Sequence, residues 1–315
     1  MGHSHHQEKH DHSSHGHHHG HSHGPVEAKF NLAFLIAILA NSVFTLIEAG
    51  YSYFAHSTSL LADAGHNLGD VLGLIFAWIA AFLLTKSANA RFSYGFKRTS
   101  IIASLTNAII LLLSVLLIIR EAIEKFIHPA NIIPQDVMLI AFVGIIINAG
   151  TALLFMRGRH DDLNIKGAFV HLAYDALMSL GVVIAAGIIL LTHWEWLDPI
   201  VGLFIAAMIL WGTWSLLKNS VNLIMDGVPE QIEMQKVQDY LNSIEGVASV
   251  HDLHIWGLST KDIALTAHLT MPNKKLSDND RHEINHVLNE QFKINHVTIQ
   301  IEQGDGDHDC AKESC

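Results

Sequence analysis

The sequence predicts an α-helical membrane protein: six transmembrane helices followed by a small cytoplasmic α+β domain of order α-β-β-α-β. Three observations predict it. Apolar residues make up 50% of the 315-residue chain and charged residues only 16%, against about 25% charged in an ordinary soluble domain. Six apolar stretches, each near the ~20 residues that cross a bilayer, follow Pro25. Beyond about Asp226 the pattern changes to short amphipathic and alternating segments. The mean hydropathy of +0.30 agrees, since one soluble fold of this length needs more charge to cover its surface. A net charge of −11 argues against a nucleic-acid partner, whose recognition rests on paired cations. Cys310 and Cys315 are the only cysteines, so no disulfide framework holds the fold.

The chain opens on a low-complexity tract. Eleven of the 24 histidines fall in residues 1–23, interleaved with Gly and Ser, a composition that cannot build a core. No apolar segment precedes a cleavage site there, so the tract is not a signal peptide. It reads as a solvated, low-affinity metal buffer. The six spans fall at roughly 30–54, 60–84, 100–126, 137–157, 163–191 and 197–224. Lys86, Arg91, Lys97 and Arg98 follow the second span, and Arg157, Arg159 and Lys166 follow the fourth. The connections at 56–59 and 193–198 carry no Lys or Arg. By the positive-inside rule both termini are cytoplasmic, although Arg120 and Lys125 sit on the wrong side of that trend. Pro229 is placed to open a helix over 231–244. Strands at 247–256 and 262–271, a helix at 278–292 and a strand at 296–302 follow. The domains are thus 1–29, a disordered His-rich cytoplasmic tail; 30–225, the six-helix transmembrane domain; 226–303, the cytoplasmic domain; and 304–315, a flexible C-terminal tail.

Polar residues inside spans are costly and mark paths or sites. The second span contains His66 and Asp70, and the fifth contains His171 and Asp175, each pair four residues apart. On a helix, positions i and i+4 share a face. Two such helices packed together offer two imidazole nitrogens and two carboxylate oxygens, a complete tetrahedral set for zinc. A pair of buried hydrogen-bonded couples is the plainer reading, but its recurrence in two spans argues for one shared site. Glu48 stands alone in the first span as a proton relay, a helix-packing group or a residue near a membrane surface, and not as a ligand.

ADAGHNLGD in the second span, H-x-x-x-D in the fifth and VHDLHIW near residue 254 resemble the cation diffusion facilitator family, within it the bacterial zinc/cadmium exporters. The likeness runs from about Phe30 to Glu302. It implies a transporter rather than an enzyme: a homodimer in the lipid bilayer, each protomer with six spans and a ferredoxin-like cytoplasmic domain. Such a dimer exchanges a divalent metal for protons by alternating access. His66, Asp70, His171 and Asp175 become the transport ligands, and histidine at the first of these goes with zinc preference. Zinc is then the transported substrate, and no organic cofactor is expected. The resemblance also favours a bacterial inner (plasma) membrane. Members with a further metal site use histidines after the second span; Phe92 and Phe96 stand here instead, so no metal is expected there.

In the soluble domain, strand alternation puts His251 and His254 on opposite faces, so they should not share an ion, and His254 reads as a packed strand residue. By similarity to the family, His251, His268 and Glu302 are regulatory zinc ligands, with His296, Cys310 and Cys315 as further contributors; the two cysteines read equally well as solvated tail thiols. His282 and His286 match the H-E-x-x-H zinc-protease signature with Glu283. A third ligand and a cleft are missing, so no protease is expected. A membrane-bound metal sensor is the alternative function, disfavoured because nothing resembles an output module. A metallohydrolase using the same four side chains would have no open coordination position.

Overall fold

A computed structural model describes residues 32–129, 131–156, 163–273 and 276–304. The His-rich tail, Arg157, Arg159, Cys310 and Cys315 lie outside the described residues. Six long helices come first: α1 (Leu32–Phe54), α2 (Thr58–Leu84), α3 (Thr99–Ile127), α4 (Pro134–Phe155), α5 (Leu163–Thr192) and α6 (Leu197–Ile224). The remainder is α7 (Met234–Asn242), β1 (Ser249–Gly257), β2 (Ile263–Thr270), α8 (Asp278–Phe292) and β3 (His296–Glu302).

Five helices, α2 to α6, contain segments long and apolar enough to cross a membrane. α1 joins their bundle as a 23-residue apolar helix whose one charged side chain is Glu48. Many large apolar side chains point outward, Leu191 at 83% and Trp211 at 87% exposure among them, as lipid solvation of a helix bundle requires. Inside, α1 packs on α2 and α4, α4 on α5, and α3 on α6, with α2 between α3 and α6. Small residues let backbones close up. A Cβ on Gly202 would stand 2.9 Å from the Thr58 carbonyl oxygen, so only glycine fits where α6 crosses α2.

Three helix starts differ from expectation for chemical reasons. The Ser57 hydroxyl accepts from the Leu60 amide at 3.1 Å and starts α2 at Thr58. Pro134 opens α4 three residues before its apolar run, because its fixed φ suits a first helical position. Pro229 does not open α7. The Ile232 amide bonds back to the Pro229 carbonyl at 2.9 Å, closing a turn, and the helix begins only at Met234.

Asp198 pins the α2, α3 and α6 ends together. It is 1% exposed and accepts from the Ser57 and Ser59 hydroxyls at 2.6 and 2.5 Å and from the Thr58 and Ser59 amides at 2.5 and 3.2 Å. Lys125 stands 3.8 Å from it and donates to the His56 carbonyl at 2.7 Å. Lys125 is therefore an interior clamp and not a free loop charge, which explains why it runs against the charge trend of the other connections.

The three strands form one sheet in the order β1-β2-β3, antiparallel between β1 and β2 and parallel between β2 and β3. A parallel neighbour needs a crossover, which α8 supplies. The Ser277 hydroxyl and Asp280 carboxylate cap α8 reciprocally. Leu265, Leu269, Ile284 and Leu288 fill the core under one sheet face. The other face carries His268, Thr270, Gln300 and Glu302, each at an alternate position of its strand.

Candidate functional site

Helical spacing delivers His66 and Asp70 from α2, and His171 and Asp175 from α5, to one level of the bundle. All four His–Asp pairings are close, two between the helices and one within each. His66 Nε2 lies 3.3 Å from Asp175 Oδ1 and 3.7 Å from Asp70 Oδ2; His171 Nε2 lies 3.4 Å from Asp70 Oδ2 and 3.7 Å from Asp175 Oδ2. Ligand atoms on a tetrahedral ion with bonds of about 2.1 Å stand about 3.4 Å from one another. The four distances bracket that value. Asp70 Oδ2 is buried without a hydrogen-bond donor, and the two imidazole rings meet edge to face at 6.3 Å. Donor type and spacing both suit a divalent cation. His66, Asp70 and Asp175 fall within 4.8 Å of one another, with His171 the most open of the four, its side chain 47% exposed.

A cavity of about 720 Å³ opens beside His66 and Asp70, with Asn107, Tyr174, Met178 and Met208 in its wall. Gly73 leaves room for the Asn107 amide, whose nitrogen would stand 3.1 Å from a Cβ there. Asn107 Oδ1 is buried and accepts no hydrogen bond.

The second cluster lies on the uncovered face of the sheet. His251 Nε2 is 3.1 Å from Glu302 Oε2, and His268 Nδ1 is 2.9 Å from Glu302 Oε1 but off the hydrogen-bonding axis. His251 faces His268 across the β1–β2 ladder, their rings 5.3 Å apart. Asp252, which sequence reasoning passed over, reaches both His268 Nε2 at 3.5 Å and His254 Nε2 at 2.8 Å.

Three readings need correction here. The ladder shifts register between His251 and His254, with Asp252 at φ +49°. This bulge adds a residue and cancels the odd separation, so His254 pairs with Thr266 on the same face as His251 and His268. His254 is bound to Asp252 and not packed in the core. His296 cannot join the cluster: it pairs with Ala264, six residues along β3 from Glu302, about 20 Å at strand rise. Its ring instead meets Tyr94 at 5.3 Å. Glu48 is not isolated either. It accepts from Asn67 at 2.9 Å and lies within hydrogen-bonding reach of Asp63, a fully buried acid one turn before His66. The signal for Asp63 was present in ADAGHNLGD as a second acid on the same helix.

His282 and His286 sit exposed on α8, and neither belongs to either three-donor cluster found among the described residues. Phe92 and Phe96 pack ring on ring at 5.0 Å.

Comparison with known proteins is extensive. Residues 34–225 match the family model described as the cation efflux transmembrane domain, and residues 229–304 match that of the cation efflux protein, cytoplasmic domain. The cadmium, cobalt and zinc/H(+)-K(+) antiporter of Bacillus subtilis is 35% identical over 282 residues, 88% of this chain and 90% of the relative. The zinc transporter ZitB of Escherichia coli is 33% identical over 270 residues, 85% of this chain and 86% of the relative. A solved metal-bound C-terminal domain of the CzcD transporter from Cupriavidus metallidurans matches with 34% identity and a TM-score of 0.20, covering 22% of this chain and 99% of that one. With both models matched in sequence order over nearly the whole length of the chain, it belongs to the cation efflux family of membrane transporters, the cation diffusion facilitators.

Proposed function

We propose that the chain moves zinc, and related divalent cations, out of the cytoplasm in exchange for protons, through the site formed by His66, Asp70, His171 and Asp175. The observation that carries this reading is the closed set of four His–Asp contacts at 3.3–3.7 Å, two across α2 and α5 and one within each helix. Zinc binds neutral imidazole and ionised carboxylate, so loading displaces protons from the same atoms and protons displace the metal in turn. The cavity beside His66 and Asp70 is an approach for the ion. The names of the relatives, which include zinc, cadmium and cobalt, support the cargo.

In this reading α1 is the sixth span and both termini are cytoplasmic. The clamped Lys125 removes one of the two charges that ran against that orientation. The membrane unit, 30–225, carries the ion in a bacterial plasma membrane, while the ferredoxin-like soluble unit, 226–303, joins two protomers and binds a regulatory zinc at His251, His268 and Glu302. Zinc-driven proton movement in proteoliposomes tests the transport site. Asp70→Ala and His171→Ala should abolish it while the purified protein still elutes as a folded species. Flux retained in those variants contradicts the assignment.

A further inference from the structure

Five of the buried polar side chains of α1, α2, α4 and α5 lie outside the metal ligands. Glu48 of α1 and Asp63 of α2 are each 0% exposed and lie within hydrogen-bonding reach of one another. Asn67 donates to Glu48 Oε2 at 2.9 Å, and Ser179 of α5 donates to Asp63 Oδ2 at 2.8 Å. One oxygen of each acid, Glu48 Oε1 and Asp63 Oδ1, is left without a donor. Asn148 of α4, also 0% exposed, has neither amide atom bonded.

Two ionised carboxylates side by side in a bilayer interior need a compensating cation. Helices α1, α2 and α4 contain no Lys or Arg. The cation of α5, Lys166, is 13 residues before Ser179, about 20 Å along the helix. The titratable neighbours are His66 on α2 and Asp175 on α5. A proton shared between the two carboxyl groups supplies that compensation with no further cation.

We propose that Glu48 and Asp63 hold one proton between them and form a proton-binding site of the transport cycle, separate from the metal ligands. The inference rests on the exchange reading above. Asp63 precedes His66 by three residues, about 4.5 Å of helix rise, and Ser179 follows Asp175 by one turn. A dication arriving among the ligands raises the positive potential at the pair and favours its ionised form. The O–H bond then breaks with its electron pair left on oxygen; one proton leaves as the metal enters, and one returns when the metal departs. The pair and the metal site share α2 and α5, so a single change in their separation acts on both.

Infrared difference spectroscopy of the full chain in lipid vesicles, metal-free against zinc-loaded, tests this without measuring transport. The metal-free protein at neutral pH should show a protonated-carboxyl C=O band that shifts in D2O, fades on zinc loading and is missing in Glu48→Gln and Asp63→Asn. Calorimetry in buffers of different ionisation enthalpy should show about one proton fewer released per zinc in Glu48→Gln, with zinc affinity within about tenfold of the parent. No such band in the unsubstituted protein, a band unchanged by zinc, or an unchanged proton count overturns the proposal. So does a site that is filled by potassium, seen as zinc affinity that varies with potassium and no protonated band. Failure of the metal-site reading would show separately, as zinc binding that survives His66→Ala and Asp175→Ala in a chain lacking residues 1–24 and carrying His251→Ala and His268→Ala.

Discussion

Each of the four side chains proposed to hold the metal occupies one corner of a set that has no spare donor. Replacing Asp175 by Ala should therefore weaken zinc binding by at least 100-fold, on the order of the largest losses seen when metal-site partners are removed; titration against a competing chelator measures it. His66→Asp exchanges an imidazole nitrogen for a carboxylate oxygen, which makes the set harder and less selective. Competition between zinc and the harder manganese ion should then shift away from zinc. At the sheet site Glu302→Ala removes the carboxylate that bridges His251 and His268, and the zinc stoichiometry of the full chain should fall by one per protomer. These residues differ in how far they were legible. The two His–Asp pairs follow from helix period alone. Asp252 did not, because a bulge overrides strand alternation and nothing in VHDLHIW announces it. Asp63 escaped because its hydrogen-bond partner, Ser179, is 116 positions away.

Helix ends carry the next set of expectations. Hydropathy located the six long helices within a few residues because lipid imposes a length on a spanning helix, and five of them, α2 to α6, are long and apolar enough to cross a membrane. It could not place their starts, which depend on one hydroxyl at Ser57 and one ring at Pro134. The Asp198 clamp was invisible for a related reason: its donors come from residues 140 positions earlier in the chain, and Lys125 comes from a third helix. Asp198→Ala leaves Lys125 and the Ser57, Thr58 and Ser59 donors buried without their acceptor. Breaking a buried pair by one partner costs about 3–5 kcal/mol, so thermal unfolding in detergent should occur at clearly lower temperature, with Asp198→Asn less affected. An unchanged transition would show that the clamp does not hold the helices. Gly202→Ala should cost about 1–3 kcal/mol through overpacking against the Thr58 backbone, read in the same assay.

Across the whole molecule the soluble unit is fastened to the connection after α2. Lys97 pairs with Asp262 at 3.1 Å, the Thr260 amide donates to Ser100 Oγ at 3.1 Å, and Arg98 pairs with Asp226. Burial alone would raise the Asp262 carboxyl, but hydrogen bonds from Lys97 and Asn295 and the Lys97 charge outweigh it and hold it below its ordinary 3.8. A depressed folded value means the contribution is complete above 3.8 and is lost as pH falls through the lower folded value. Docking should therefore persist at neutral pH. Lys97→Ala should loosen it, seen as faster amide exchange over residues 258–263 with zinc binding at the sheet site unaltered. None of these contacts could be read from sequence, where Lys97 and Arg98 register only as topology charges. The central claim concerns the ion between α2 and α5, and zinc X-ray absorption tests it most directly on a chain lacking residues 1–24 and carrying His251→Ala and His268→Ala. The account predicts four ligands, two imidazole nitrogens and two carboxylate oxygens, at about 2.0–2.2 Å, lost on His66→Ala. A six-coordinate shell of water oxygens, or a spectrum untouched by that substitution, would contradict it.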